Sequence, residues 1–290
     1  MKLKRLISIL FVISLISVAC EKDAKNALLP GFEQKLVVTS FLCPADSISF
    51  IGVTLNRPVY GELQPYQSPG IVSGWISDGE KEIRMTTTDS GLVFTKNEMT
   101  ILNNKTYSII ISNENGLSSS AKCTIPDKFD FEITIDTFSV VHESIDEWDN
   151  EYREQFVSVK FKDNPAKENF YHLIGEIDGF YPYGDTVILF KEFIRFEKDI
   201  FTDRERNADG FISFNGPFQD ICCPGTPISY IFRIYLLDTE ESYYLYHKSI
   251  FDYKDDDNPF TEPTPVYSNI EGGLGIFTSY ALDSAVFRLN

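Results

Sequence analysis

Histidine, methionine and tryptophan are scarce, with three, three and two residues in a chain of 290. His142, His172 and His247 lie far apart, on stretches that read as strands and a helix and without metal-ligand spacing, so a core-edge or surface role is the better reading for each. There is no Cys-x-x-Cys pair, no Gly-x-Ser-x-Gly elbow and no His-Glu-x-x-His run. The local signatures of a zinc site, a serine hydrolase and a zinc protease are therefore missing. Basic residues are also in deficit: 26 Lys and Arg face 43 Asp and Glu, for a formal net charge of −17. Such a surface repels phosphate backbones and anionic lipid heads, which argues against a nucleic-acid partner.

Long apolar runs are missing except at the start. Lys2, Lys4 and Arg5 precede Leu6 to Ala19, 14 apolar or small residues without a charge. The run is shorter than the roughly 20 residues that span a bilayer, and it has the layout of a signal peptide over residues 1–19. Ser17-Val18-Ala19-Cys20 resembles the bacterial lipoprotein processing box, with a small residue immediately before the cysteine and Ser17 in place of the usual Leu. Cys20 is accordingly the expected lipid attachment site, since several acyl chains on one cysteine give stable anchoring to a bilayer.

What remains is ample for folding. Hydrophobic residues make up 43% of the chain, with 24 Phe and 15 Tyr, which excludes a disordered protein. Residues 20–33 carry no period and contain Pro30-Gly31, as expected of a flexible tether. Short β-branched and apolar segments then recur at 36–42, 48–55, 71–77, 81–87, 106–112 and 117–125 between turn signals such as Asp78-Gly79 and Asn115-Gly116. They predict a β-sandwich domain over 34–126, of immunoglobulin or fibronectin type, with Tyr107 as a structural corner.

Residues 127–290 read as a second, aromatic-rich β domain. Strands are expected at 129–141, 155–162, 169–178, 185–195, 211–215 and 228–237, from alternation such as Phe129, Phe131, Ile133 and Ile135. One helix, 239–254, should follow a capping box of Asp238 and Glu241. The tail from 261 to 280 reads as an irregular segment laid over the core. Cys43 and Cys123 can be bridged if the first and last strands of the first domain lie close, and Cys222-Cys223 read as separate or free thiols.

Several segments together carry a family resemblance. The lipoprotein-type leader, KLVVTSFL, the Thr106-Tyr107 strand with Asn115-Gly116 and Ile125-Pro126, the stretch from Phe201 to Asn207, and above all NPFTEPTPVYSNIEGGLGIF at 258–277 resemble a family of Bacteroidota outer-membrane lipoproteins. That family is catalogued as domain of unknown function 4249. The resemblance implies an outer-membrane location and association with a TonB-dependent transporter. It carries over no catalytic residue.

Two stretches offer oxygen ligands of the kind Ca²⁺ takes: Asp255-Asp256-Asp257 with Asn258, and Asp203, Asn207 and Asp209. Neither has EF-hand spacing, and solvated charge is the preferred reading. The Gly272 to Gly275 run reads as a turn, not as a phosphate cradle. Phe180, Tyr181 and Tyr183, between Asp178-Gly179 and Gly184-Asp185, form the candidate ligand- or partner-binding site, three aromatics at an expected hairpin tip. The expected function is that of a non-enzymatic accessory or ligand-capturing subunit of a TonB-dependent uptake system, without cofactor or metal. Lys22-Asp23 favours the cell surface over the periplasmic face. A structural or adhesive envelope protein, and a hydrolase with dispersed acidic residues, are the alternatives.

Overall fold

The odd-numbered residues of the last strand show how the protein is put together. The computed structural model describes residues 31–58, 65, 67–142, 152–218, 229–255 and 265–289. Among the described residues it is mainly β, with sixteen strands and one α-helix. Strands β1 (Leu36–Leu42), β2 (Ile48–Leu55), β5 (Thr86–Thr88), β6 (Gly91–Thr95), β11 (Phe170–Tyr183), β12 (Thr186–Ile194), β15 (Ser229–Thr239) and β16 (Leu274–Leu289) form the path β12-β11-β15-β16-β1-β2-β6-β5 of a nine-stranded sheet. The ninth strand, β13 (Ile200–Thr202), pairs beside it with β11. β4 (Glu82–Arg84), β3 (Val72–Ser77), β7 (Thr106–Asn113) and β8 (Ser118–Thr124) make a four-stranded sheet, and β14 (Phe211–Phe218), β10 (Tyr152–Lys162) and β9 (Thr134–His142) make one of three strands. All these strands belong to one unit, residues 34–56 and 65–290; of the other unit, residues 1–33 and 57–64, only 31–33 and 57–58 are described, without regular structure.

β16 runs parallel to β1 from Leu274 to Ser279 and then antiparallel to β15 from Tyr280 to Leu289. Side chains alternate across a strand, so Phe277, Phe287 and Leu289 lie on one face. Phe277 enters a first core with Leu36, Val38, Ile51, Ile76 and Ile109, while Phe287 and Leu289 pack on a second with Phe131, Phe161, Tyr171, Leu173 and Phe232. The even-numbered residues take the opposite face.

The glycine-rich run supplies the close approach at the joint. Gly275 has φ of 104°, and a Cβ there would stand 2.0 Å from the Val38 carbonyl oxygen. At Gly273 a Cβ would stand 2.7 Å from the Leu36 oxygen. These residues let the end of the chain lie against β1. The expected irregular tail is therefore corrected: residues 265–273 lack extended strands, and a long strand follows because glycine allows the backbones to meet. Glu271 and Ser120 bridge the same junction, with N–H···O distances of 2.8 and 3.0 Å.

Tyr107 is fully buried; its hydroxyl accepts from the Leu102 N–H at 2.8 Å and donates to the Thr100 carbonyl at 3.1 Å. It is the expected structural corner. Cys43 and Cys123 are buried free thiols, so the first-domain bridge is not formed. Cys43 Sγ instead accepts from the Ala45 N–H at 3.4 Å. Cys20, Cys222 and Cys223 lie outside the described residues.

Candidate interaction surface

The helix α1 (Glu241–Asp255) begins two residues later than expected. Asp238 is not its cap, because it is the penultimate residue of β15, opposite Ala281. Glu240 takes the capping position: its carbonyl accepts from the Tyr243 N–H at 3.0 Å, and its carboxylate from Ser242 Oγ at 2.9 Å and Thr278 Oγ1 at 3.2 Å. Thus α1 is seated on the even-numbered face of β16.

That seat brings two of the three histidines together. His172 of β11 and His247 of α1 have ring centroids 5.7 Å apart. His172 Nδ1 shares a 2.7 Å hydrogen bond with Tyr243 Oη, and Tyr243 stacks on His247 at 4.3 Å and 15°. Phe41 of β1 closes the group edge-on to Tyr243 at 5.4 Å. Burial disfavours the charged imidazole, and together with the nearby His247 it lowers His172 to about 4. Burial likewise lowers His247 and raises Tyr243 and Tyr280. Cys43 beside Tyr280 is raised by the same cause, which holds it as a thiol and not as a nucleophilic thiolate. The cluster is neutral at pH 7 and suited to packing α1 on the sheet.

A polar knot lies on the opposite face of β11. Asp163, 2% exposed, accepts from Tyr171 Oη at 2.6 Å and Asn169 Nδ2 at 3.2 Å, and pairs with Arg206. Asp238, 1% exposed, meets Lys167 at 3.4 Å, and burial raises it to about 6. In the Asp203 to Asp209 loop Asn207 uses its oxygen internally: Oδ1 accepts from the Asp209 and Phe211 N–H groups at 3.0 and 2.9 Å. Among the described residues no three His, Cys, Asp or Glu converge as a metal site. Residues 256–258 lie outside the described residues.

The aromatic trio is placed differently from the expectation. β11 continues through Gly179 to Tyr183, and the loop is only Gly184-Asp185, with φ of 58° at Gly184. A two-residue hairpin loop demands that conformation at its first central position. Phe180, Tyr181 and Tyr183 are strand residues, opposite Leu189, Ile188 and Thr186 of β12. Phe180 is half-buried; of Tyr181 and Tyr183 only the backbone is described. Gly179 is strand, not loop, because it lies between Phe190 and Tyr230 on the neighbouring strands.

Four exposed apolar groups follow closely on one another along β12. Val187 is 57% exposed, Leu189 48% and Phe193 69%, and Ile188 is also exposed. This strand ends the nine-stranded sheet, and among the described residues nothing pairs with its outer side. Asp178 clamps it to the sheet: its carboxylate meets Arg233 of β15 at 2.7 Å and Lys191 of β12 at 3.7 Å. An uncharged run such as Val187-Ile188-Leu189-Phe190 reads from sequence as a buried strand, so its exposure is not legible there. An exposed apolar edge is a template for protein contact.

The family model "Domain of unknown function (DUF4249)" matches residues 22–285, and the chain belongs to that family. No curated protein matches the chain. A solved structure titled "Cytokine receptor complex - Crystal form 1A" aligns over 87% of this chain and 94% of its own, with 10% identity and a TM-score of 0.25, too low to carry an argument.

Proposed function

We propose that this member of the family is an outer-membrane lipoprotein, held to the bilayer by acylated Cys20, that serves as a non-enzymatic accessory or ligand-capturing partner of a TonB-dependent uptake system. The observation that carries the reading is the run from Lys2 to Cys20, a basic start and a short apolar stretch ending at a cysteine. The exposed apolar hairpin of β11 and β12 supports a binding role, and Lys22-Asp23 supports display at the cell surface. Cys20→Ala should leave the protein unprocessed or release it from the membrane fraction, because the acyl chains are its strong attachment. Pull-down from solubilised outer membranes should recover a large β-barrel transporter. Replacing Phe180, Tyr181 and Tyr183 together by Ala should weaken that recovery at least tenfold, as central aromatic anchors cost about 2 kcal/mol or more. A processed, membrane-bound Cys20→Ala protein, or the absence of any barrel among its partners, would count against the proposal. The apolar edge also fits a structural or adhesive envelope protein, and that reading gains if uptake is unchanged on deletion while attachment is lost.

A further inference from the structure

The free edge of β12 is complementary to itself. In a hairpin closed by Gly184-Asp185, the pair Tyr183–Thr186 is hydrogen-bonded, and bonded and non-bonded pairs alternate from there. Val187, Leu189, Lys191 and Phe193 then turn their backbone N–H and C=O groups away from β11. Another strand matches such a row of alternating donors and acceptors along its whole length. We propose that the occupant is β12 of a second copy of this chain, antiparallel and related by a two-fold axis through Phe190.

The register follows from the strand itself. An axis perpendicular to the sheet pairs residues whose numbers are symmetric about its centre. Phe190 is the middle of Thr186–Ile194, so the register centred there overlaps the strand in full. It sets Val187 opposite Phe193 and Leu189 opposite Lys191 in the second copy, all four with outward-facing backbones, as edge pairing requires. Val187 and Phe193 are the exposed apolar side chains described above, and opposite each other they shelter one another from water.

Charge selects a second copy over an unrelated strand. Asp185 flanks one end of β12 and Arg195 the other, both exposed, and neither has an ion-pair partner among the described residues. The register centred on Phe190 places Asp185 of each copy opposite Arg195 of the other, at both ends of the joint. A register centred on Lys191 would instead oppose two lysines. Net charge of −17 repels the copies at long range, so the association should be measured at physiological salt, where that repulsion is screened beyond about 8 Å.

The test is the oligomeric state of the detergent-solubilised full chain, followed by sedimentation over a range of concentrations. A dimer is expected. Asp185→Arg and Arg195→Asp should each weaken it about tenfold, since each places like charges together at both ends. Carrying both changes on one chain should restore it to within about threefold. Val187→Cys with Phe193→Cys should give a covalent dimer on mild oxidation beyond that of the unmutated chain, and Val187→Cys alone should not. Within one chain the two thiols lie about 20 Å apart along the strand and cannot join. A monomer at every concentration overturns the proposal. So does a dimer indifferent to the charge exchange and to the paired cysteines, or cross-linking in cells to a different protein through β12.

Discussion

The two cores beneath the long sheet are built of different material. The first is mainly aliphatic, with Leu36, Val38, Ile51, Ile76, Ile109 and Ile111 beside Phe94, Phe277 and a single buried tyrosine tied to backbone. The second is a lattice of rings: Phe131 stands edge-on to Phe161 at 6.0 Å and 86° and to Tyr171 at 5.6 Å and 88°, and Phe218 meets Phe232 at 5.0 Å and 78°. Aliphatic side chains fill volume without orientation, whereas edge-to-face rings add about 0.5–1.5 kcal/mol per pair only in the right geometry. Large rings also need room. A Cβ on Gly216 would come within 2.4 Å of Ile194, and one on Gly175 within 2.9 Å of Phe196. The second core thus packs mainly through rings, and the first mainly through aliphatic side chains.

The contrast can be broken most severely at the strand both cores share. Gly275→Val forces a side chain into the Val38 carbonyl at a left-handed φ, and should prevent folding of both regions together. Loss of cooperative unfolding in denaturant checks this, and a variant with only one region unfolded would show the cores to be independent.

A smaller effect separates the cores by their chemistry. Phe232→Ala should cost about 4 kcal/mol and Ile51→Ala about 3 kcal/mol, both from lost burial and the cavity left. The distinguishing measurement is coupling: a Phe218–Phe232 double-mutant cycle should give about 1 kcal/mol, against a few tenths for Ile51 and Ile109. Equal couplings would mean that ring geometry contributes nothing beyond area.

Acid should sharpen the comparison further. His172 is lowered to about 4 in the fold, against about 6.5 in an unfolded chain. A depressed imidazole favours the fold while neutral, so its contribution is complete above about pH 6.5 and is lost as pH falls toward 4. The loss should be about 3 kcal/mol. Hydrogen exchange in β11 and α1 should rise over this window while β3 and β7 stay protected. His172→Gln should flatten the response, and an unchanged pH dependence would remove the histidine from it.

Much of the sheet was legible because alternation is a local property. β10 alternates through Val157, Val159 and Phe161, β1 through Leu36, Val38 and Leu42 with Ser40 between, and Tyr107 announces its corner near the start of a strand after Asn103-Asn104. β16 was not legible because small and polar residues, Ala281, Asp283 and Ala285, hold inward positions while Leu282 and Val286 are exposed. Its alternation is blurred, and its partners lie at both ends of the chain. The candidate site failed to show for a related reason. Gly179 suggested a loop, but it is paired within β11 between Phe190 and Tyr230. His172 and His247 meet because α1 crosses the sheet; the four-residue spacing of Tyr243 and His247 was the one local hint.

The seam between β1 and β16 also sets a schedule. Val37 is synthesised long before its neighbour Leu274. Until the C-terminal strand arrives, β1 has one open edge and the first core lacks Phe277. A chain made from its N-terminus must therefore carry an unfinished sheet for most of its synthesis. Any carrier that holds it extended until the last residues emerge would protect it at the stage when strand edges are most prone to pair wrongly.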